Sequence, residues 1–419
     1  MKKVIVVGMS AASVSFVVKL RSFDKESEIV CFSGEKDFPY NRCFLADFLT
    51  GDKTEQELSL KPEDYFLQNN IQIHFNSWVT AIDTASKTVT IAMEPVGTEQ
   101  FYYDELFLGI GTKPFLPPFA RNVQCSGLFT FHTLRDMHAI SNYTAEKKVK
   151  TAIVIGGGLN GIEAVSSLVS LKISVVLIEA AKTILAGQVD GEIAQWVESK
   201  AQNLGVEIFT NRKAIKICEI GGVVSGVQLE TETSQSKTSQ SKTSQSEAGQ
   251  PESTIFADMV IVAAGSQVNC ELAKSAGIAT ENGSIIVDEH MRTSVPHILA
   301  GGDVCRAPDM VTGKIMRSTT WSDAMLQGLC AATTLSATPR RYPGMVGLRD
   351  SYFFGKDFYA CGQTVDHDTT VKIISNIDEQ NVERLYIKND QLIGFVLIGD
   401  ISKVSALKRL YTTQEKCFQ

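Results

Sequence analysis

Two glycine-rich turns carry residues whose types and spacing suit nucleotide binding. The clearer one, residues 156–161 (GGGLNG), follows an apolar strand-like segment and opens a helical one. Glycines at this spacing let the backbone approach a pyrophosphate, whose charge meets the N-terminus of the helix. Glu179 ends the next predicted strand, where a carboxylate can bind both ribose hydroxyls and would repel a 2′-phosphate. The pattern therefore predicts an NADH site that disfavours NADPH.

Residues 8–13 (GMSAAS) form a degenerate first copy of this turn. Ser10 and Ser13 replace the second and third glycines, and each Cβ narrows the approach of the backbone to a phosphate. Small residues and a good helix start nevertheless remain. Glu35, just past the second predicted strand, could hold an adenosine ribose or be a surface acid. The backbone contacts predicted for this second dinucleotide site are Gly8, Ser10, Ala11 and Ala12.

Two further carboxylates stand where they could serve these sites. Asp303 ends the sequence AGGD after an apolar segment, so it would lie at the C-terminal edge of a strand. There it could bind a polyol chain, or it could simply close a turn. Glu163 lies just inside the helix after the second turn. It could orient a nicotinamide, or it could be a surface or capping acid.

Strand–turn–helix–strand units must position these groups, and the sequence predicts two. The first has strands at residues 4–7 and 28–32 around a helix to about residue 22, and the second has strands at 151–155 and 174–178 around a helix to about residue 171. β-branched residues dominate these strands, as expected for buried parallel strands. The units indicate an α/β protein with two Rossmann-like nucleotide-binding domains. The final part of the chain reads as short strands and a closing helix, which predicts a small C-terminal α+β domain.

The AGGD segment lies beyond the second unit, so we expect the first domain to be discontinuous. It would comprise residues 1–115 and 255–335, with the second nucleotide-binding domain at 116–254 and the C-terminal domain at 336–419. Three copies of a five-residue TSQSK-type unit occupy residues 233–247. Because such a polar tract cannot bury enough surface to fold, we expect a disordered loop at 231–253 between strand-like segments 221–229 and 254–262.

Composition and charge exclude several classes of protein. The net charge is −7 and no long basic run occurs, which argues against nucleic-acid binding. We expect no membrane helix, since no later apolar run reaches about 20 residues, and we interpret the signal-like first residues as a strand and a helix. The nine cysteines form no CxxC, which removes zinc knuckles and adjacent redox pairs. We expect a cytoplasmic monomer or homodimer without a bound metal.

The sequence resembles the FAD-dependent pyridine nucleotide-disulfide oxidoreductase superfamily in several features taken together. These are the two glycine turns, the AGGD segment and two strand–glycine junctions, LFLGIGTKP at 106–114 and VIVAAG at 260–265. The resemblance covers about residues 1–400. PYNRCFL at 39–45, WVTAID at 78–83 and FGKDFYACG at 354–362 are similar to NADH:rubredoxin reductases and to the flavin module of nitrite reductase large subunits. This implies FAD and NADH as cofactors, and a small redox protein such as rubredoxin or an iron–sulfur protein as partner.

The resemblance also implies roles for single residues. Arg42 would contact the pyrophosphate side of FAD, and the backbone of Val79 would contact the adenine. Asp303 would bind the ribitol, and residues near Trp321 would flank the isoalloxazine. Gly111 belongs to the first junction and completes the predicted FAD contacts. The predicted NADH contacts are Gly156, Gly158, Leu159, Asn160, Gly161, Glu163, Glu179 and Gly265.

Three functions stay open from the sequence. The first is an electron mediator that needs no redox disulfide. The second is a single-cysteine NADH oxidase, peroxidase or coenzyme A disulfide reductase that uses Cys43. The third is a scaffold that has lost FAD, which the degenerate first turn suggests. We favour the first because Cys43 follows Arg42, and neighbours in an extended segment point to opposite faces. Cys43 would then face away from a flavin that Arg42 contacts.

Overall fold

The computed structural model describes residues 1–93, 97–230, 253–365 and 370–417. The predicted disordered loop lies outside the described residues, apart from residue 253. No helix within the described ranges is both long and apolar enough to cross a bilayer. The helices are α1 Ala11–Phe23, α2 Leu45–Thr50, α3 Glu55–Leu58, α4 Glu63–Gln68, α5 Leu134–Lys147, α6 Leu159–Ser170, α7 Gly191–Asn203, α8 Glu271–Ser275, α9 Trp321–Thr334 and α10 Val404–Thr413.

A five-stranded parallel sheet carries the first glycine turn. Its strands, in spatial order, are Ile298–Ala300, Glu105–Leu108, Lys3–Val7, Glu28–Phe32 and Ile71–His74. Lys3–Val7 pairs with neighbours on both sides, and its apolar side chains are almost fully buried. The strand order reverses at Lys3–Val7, and in open α/β sheets a crevice forms at the carboxyl end of the strands at such a point. Strand Ile298–Ala300 carries the AGGD segment to the same edge.

A second parallel sheet of five strands carries the other turn. Its strands, in spatial order, are Leu128–Thr130, Met259–Val262, Thr151–Ile155, Ser174–Ile178 and Glu207–Phe209. Its central strand again pairs on both sides, with the registers Ile155 to Ile178 and Ile155 to Val262. The two sheets confirm the predicted α/β fold with two Rossmann-like units.

Strand Met259–Val262 bears on the predicted domain boundary at residue 254. The continuous strand expected at 254–262 is two strands, because Thr254–Phe256 pairs with Val223–Leu229 and Met259–Val262 pairs with Thr151–Ile155. A boundary at 254 would therefore divide the second sheet. We propose that the second domain extends past Val262; the other boundaries stay predictions.

Smaller sheets connect and cover these two units. Three of them are antiparallel: Ser77–Asp83 with Thr88–Met93 and Gly97–Tyr102; Ala214–Ile220 with Val223–Leu229 and Thr254–Phe256; and Thr112–Pro114 with Ser266–Val268. A mixed sheet contains Thr280–Glu281, Ser284–Ile286, Cys305–Pro308 and Ile315–Arg317. Because Gly111 and Gly265 immediately precede the two strands of the third antiparallel sheet, they mark the double connection between the nucleotide-binding units.

The C-terminal part is an antiparallel sheet followed by α10. Its strands, in spatial order, are Arg349–Phe353, Lys356–Gly362, Gln391–Ile398, Val382–Lys388 and Lys372–Ile377. Arg384, almost fully buried, forms ion pairs with Asp190 at 2.8 Å and Glu192 at 2.5 Å. These contacts join the C-terminal sheet to the N-terminus of α7 in the second nucleotide-binding unit.

Candidate functional site

A cleft of about 1580 Å³ runs from the first glycine turn to the start of α6. It brings together every residue predicted to contact FAD, three of those predicted to contact NADH, and Cys43. These residues are Gly8, Ser10, Ala11, Ala12, Glu35, Arg42, Val79, Gly111, Asp303 and Trp321, with Leu159, Asn160 and Glu163. Gly156, Gly158, Gly161, Glu179 and Gly265 lie outside its lining, so the second turn reaches the cleft through the first residues of α6.

The N-terminus of α1 is open toward the cleft. Its N-cap residue Ser10 makes no side-chain cap hydrogen bond, and its first turn holds no acid. By contrast, Thr133, Asp190 and Thr320 cap α5, α7 and α9 with their side chains. The first N–H groups of α1 are therefore free of side-chain acceptors and can bind a phosphate. α6, whose N-cap is Gly158, is uncapped in the same way.

The serine at the third position of the first turn is accommodated by the neighbouring strand end. Ser13 is fully buried and faces Gly109, where an added Cβ would lie 2.1 Å from Ser13 Oγ. Gly109 thus leaves the space that the serine side chain fills. The same interior face holds Gly328 of α9, where a Cβ would lie 1.9 Å from the carbonyl oxygen of Ala12. These close contacts keep α1 near Gly109 and near α9, although Ser10 and Ser13 replace two glycines of the turn.

Glu35 and Arg42 lie against each other beside this turn. Their side chains form an ion pair, and Arg42 also donates to the carbonyl oxygen of His132 at 2.8 Å. Tyr40 Oη donates to Glu35 Oε2 at 2.6 Å and accepts from Leu134 N at 2.9 Å. The predicted ribose acid and the predicted pyrophosphate arginine therefore form one hydrogen-bonded group, which orients both toward the cleft.

Asp303 also lines the cleft, after the Gly301-Gly302 turn. Gln327, fully buried, accepts from Gly302 N at 2.7 Å and so fixes this turn. Burial raises the pKa of Asp303 to about 6, although Arg317 and Arg42 oppose the shift. A carboxyl group with an elevated pKa in a cleft is typical of ligand sites. Its place close to α1 agrees with the predicted grip on a polyol chain.

Cys43 lines the cleft, which corrects the expectation that it faces away. Residues Arg42–Phe44 form one turn of 3₁₀-helix rather than an extended segment, so the alternation expected from strand geometry does not apply. Arg42 and Cys43 both line the cleft. The surrounding protein raises the pKa of the Cys43 thiol to about 12, and the carboxylates of Asp350, Glu163 and Asp303 add to the shift.

The second turn is held by the acid predicted to bind ribose. Glu179 Oε2 accepts from Gly157 N at 2.5 Å, and Glu179 Oε1 accepts from Ala181 N at 2.6 Å. A Cβ on Gly161 would lie 1.8 Å from the carbonyl oxygen of Gly156, so only glycine fits there. Glu179 thus stands directly beside the glycine turn, at the end of strand Ser174–Ile178.

Glu163 connects this turn to the C-terminal sheet. Ser351 Oγ donates to Glu163 Oε1 at 2.5 Å, and Phe354 N donates to Ser166 Oγ one turn further along α6 at 2.8 Å. Burial raises the pKa of Glu163 to about 7; the bond from Ser351 opposes the shift, while Asp350 and Asp47 add to it. Glu163 is therefore a cleft residue held by two domains, and not a surface acid.

Sequence reasoning missed the supporting residues of the site. The sequence patterns assign no role to Gln327, Ser351, Asp350 or His132. Short polar residues in an edge strand, such as Ser351 in Arg349–Phe353, carry no local signal of function. Their importance follows from contacts with residues far away in the sequence.

Comparisons with known proteins agree with this geometry. The pyridine nucleotide-disulphide oxidoreductase family matches residues 2–328, and the rubredoxin NAD+ reductase C-terminal domain matches residues 352–415. A rubredoxin-NAD(+) reductase of Pseudomonas putida is 30% identical over 415 residues, covering 96% of this chain and 97% of that protein. A nitrite reductase [NAD(P)H] of Bacillus subtilis (strain 168) is 27% identical over 410 residues, covering 97% of this chain. The chain spans 46% of that relative's length.

Among solved structures, reduced Bacillus anthracis CoADR-RHD superposes with a TM-score of 0.86 at 26% identity, covering 99% of this chain and 74% of that one. The chain belongs to the pyridine nucleotide-disulphide oxidoreductase family. It is an FAD-dependent NAD(P)H oxidoreductase with FAD and NADH as its cofactors. The uncapped N-termini of α1 and α6, the narrow turns and the inward-facing Asp303 fit these two dinucleotides.

Proposed function

We propose that this chain is an NADH-dependent flavoprotein reductase that passes electrons to a small redox protein, such as rubredoxin or an iron–sulfur protein. The observation that carries the proposal is the composition of the cleft. Residues of both nucleotide turns meet there, and Cys43 is the single cysteine among the described residues that line it. Electrons therefore have no protein dithiol to pass through.

The electrostatics around Cys43 support the same route. A thiol reacts as a thiolate, and reactive cysteines lie in electropositive surroundings that lower the thiol pKa. Cys43 lacks such surroundings, because burial raises its pKa to about 12 and the carboxylates of Asp350, Glu163 and Asp303 add to the shift. Bound FAD would accept a hydride from NADH and release electrons singly, while the protein supplies binding and orientation.

The chain's own residues have distinct roles in this proposal. The open N-termini of α1 and α6 bind the two pyrophosphates, Glu179 binds the NADH ribose, and Glu163 orients the nicotinamide side of the cleft. Similarity to the Pseudomonas rubredoxin-NAD(+) reductase over nearly the whole of both chains supports a redox protein as acceptor. All nine cysteines are free, which suits a reducing cytoplasm.

A second candidate, reduction of a disulfide, persulfide or peroxide through Cys43, is favoured by one observation. The thiol is exposed to the cleft beside Glu163 and is not turned away from it. The structural similarity to CoADR-RHD also supports this candidate. It requires that the bound cofactors lower the pKa of the thiol, because in the protein alone burial raises it and the carboxylates add to the shift.

Cys43→Ser separates the two candidates, and Cys218→Ser, outside the cleft, is the matched control. If electrons leave directly from the flavin, both variants keep NADH-dependent reduction of ferricyanide or rubredoxin, with the flavin absorbance near 450 nm unchanged. Alkylation of Cys43 in the wild type, followed by mass spectrometry of its peptide, should be slow at pH 7. Loss of all acceptor reduction in Cys43→Ser alone would establish the thiol route instead. A wild-type protein without flavin absorbance would support only the third hypothesis, a scaffold that has lost FAD.

A further inference from the structure

The loop between strand Ser174–Ile178 and α7 lies over the second glycine turn. Leu185 N donates to the carbonyl oxygen of Gly157 at 2.8 Å, and Leu185 itself has a left-handed φ of 50°. A buried leucine in this conformation is uncommon and costs free energy, so the surrounding structure must hold it there. The loop is therefore fixed to the turn that binds the dinucleotide.

Gln188 of this loop places its amide beside the turn. Its Nε2 would lie 3.5 Å from a Cβ on Gly158, the N-cap residue of α6. Its Oε1 is buried and has no hydrogen-bond partner among the described residues. Because a phosphate oxygen only accepts hydrogen bonds, it would not pair with this acceptor. The amide group that can donate to a phosphate at the turn is Nε2.

The C-terminal sheet fixes the backbone of Gln188. Its carbonyl oxygen accepts from Thr364 Oγ1 at 2.6 Å and from Arg349 Nη1 at 3.4 Å. Arg349 Nη2 also donates to Thr364 Oγ1 at 3.0 Å, so the three groups form a closed triangle. Thr364 is almost fully buried, and these contacts therefore hold in the interior rather than at an exposed edge.

We propose that Gln188 is a further dinucleotide-binding residue whose amide donates a hydrogen bond to a phosphate of NADH, and that Arg349 and Thr364 are positioning residues for it. The proposal rests on the proposed function, since it requires the nicotinamide dinucleotide at this turn. A pyrophosphate at the open N-terminus of α6 lies beside Gly158, within reach of the amide N–H groups. The C-terminal domain thereby completes the NADH site through the Gln188 loop as well as through Ser351.

Calorimetric binding of NAD⁺, ADP-ribose and adenosine to the flavin-loaded protein tests this. Gln188→Leu keeps the shape and removes the amide, and Gln195→Leu on the exposed face of α7 is the matched control. We expect Gln188→Leu to weaken the binding of NAD⁺ and of ADP-ribose by roughly tenfold, which is the effect of one lost hydrogen bond to a charged group. The binding of adenosine should hardly change. Gln188→Glu, whose carboxylate repels the phosphates, should weaken both further and keeps the test open if the leucine variant folds poorly.

Thr364→Val tests the positioning role, and Thr364→Ser is its conservative rescue. We expect the valine variant to weaken ADP-ribose binding by a smaller factor and the serine variant to restore it. Equal NAD⁺ affinity in wild type and Gln188→Leu would overturn the inference while leaving the proposed function intact. A wild-type protein that does not bind NAD⁺ would overturn the proposed function itself. An equal loss for adenosine, with a lower unfolding temperature, would assign Gln188 a purely structural role.

Discussion

The two nucleotide-binding turns of this chain share the geometry of their first glycine and differ at the third position of the motif. A Cβ on Gly8 would lie 2.4 Å from the carbonyl oxygen of Gly109, and a Cβ on Gly156 would lie 2.4 Å from that of Ala263. Both glycines also have positive φ, +86° and +107°. The first position of each turn is therefore fixed by the same contact with the neighbouring strand.

The third position differs between the two turns. The second turn has Gly161 on α6, facing Ala263 just past strand Met259–Val262, whereas the first has Ser13 on α1, facing Gly109 just past strand Glu105–Leu108. A Cβ on Gly161 is excluded by the carbonyl oxygen of Gly156 at 1.8 Å and would lie 3.7 Å from the Cβ of Ala263, whereas Ser13 fits because Gly109 has no side chain. A serine at the third position therefore does not by itself mean a lost site where the facing residue is glycine.

The largest expected effect is that of Gly161→Ser, which imposes the first turn's residue on the second. Its Cβ would lie 1.8 Å from a backbone oxygen that cannot move away. We expect destabilisation at or above the upper end of the usual overpacking range of about 1–3 kcal/mol, and loss of NAD⁺ binding. Thermal unfolding and calorimetry measure both. Ser13→Gly should cost less than about 1 kcal/mol, mainly through helix propensity; equal costs for the two variants would break the comparison.

Gly109→Ala tests the compensation directly. The new Cβ would lie 2.1 Å from Ser13 Oγ, and we expect a cost of about 1–3 kcal/mol in the free energy of unfolding. Ser13→Gly in the same chain should recover about 1 kcal/mol or more, because it recreates the arrangement of Gly161 and Ala263. Denaturant unfolding of the four proteins gives this coupling energy. Strictly additive costs would show that the two residues do not compensate each other.

The smallest effect concerns the acids after the second strands. Glu35 is held by Arg42 and Tyr40, whereas Glu179 is held by backbone N–H groups of its own domain. Glu179→Ala loses the charge and both anchoring hydrogen bonds, whereas Glu179→Gln loses the charge but keeps one of the two acceptor oxygens. We expect the glutamine variant to relax the preference for NADH over NADPH by roughly tenfold, with FAD content unchanged. Steady-state kinetics with both nucleotides measure it, and a wild type that prefers NADPH would refute the ribose argument.

Much of this structure could be predicted because its signals are local. Strand Glu28–Phe32 and strand Ser174–Ile178 lie at their predicted bounds, and α1 and α6 end within two residues of expectation. Apolar runs of β-branched residues and small residues at tight turns reflect sterics within a few residues of chain. The elements that carry the nucleotide turns therefore followed from the sequence.

Other features depended on contacts between distant segments. The segment 254–262 forms two strands because its two halves pair with strands of two different sheets. No local sequence pattern specifies which strand each half pairs with. Cys43 faces the cleft because residues 42–44 turn as a 3₁₀-helix, which the surrounding packing allows and the short sequence does not specify.

By itself, the sequence determined the two Rossmann-like units, their glycine turns and the acids Glu179 and Asp303. The tertiary structure alone decided that Gly109 makes room for Ser13, that Ser351 holds Glu163, and that the C-terminal sheet reaches the second turn through Gln188. The physical reason is the range of the interactions: backbone sterics and hydrophobic periodicity act between near neighbours in the chain, whereas close packing and buried hydrogen bonds depend on which distant segments the fold brings together.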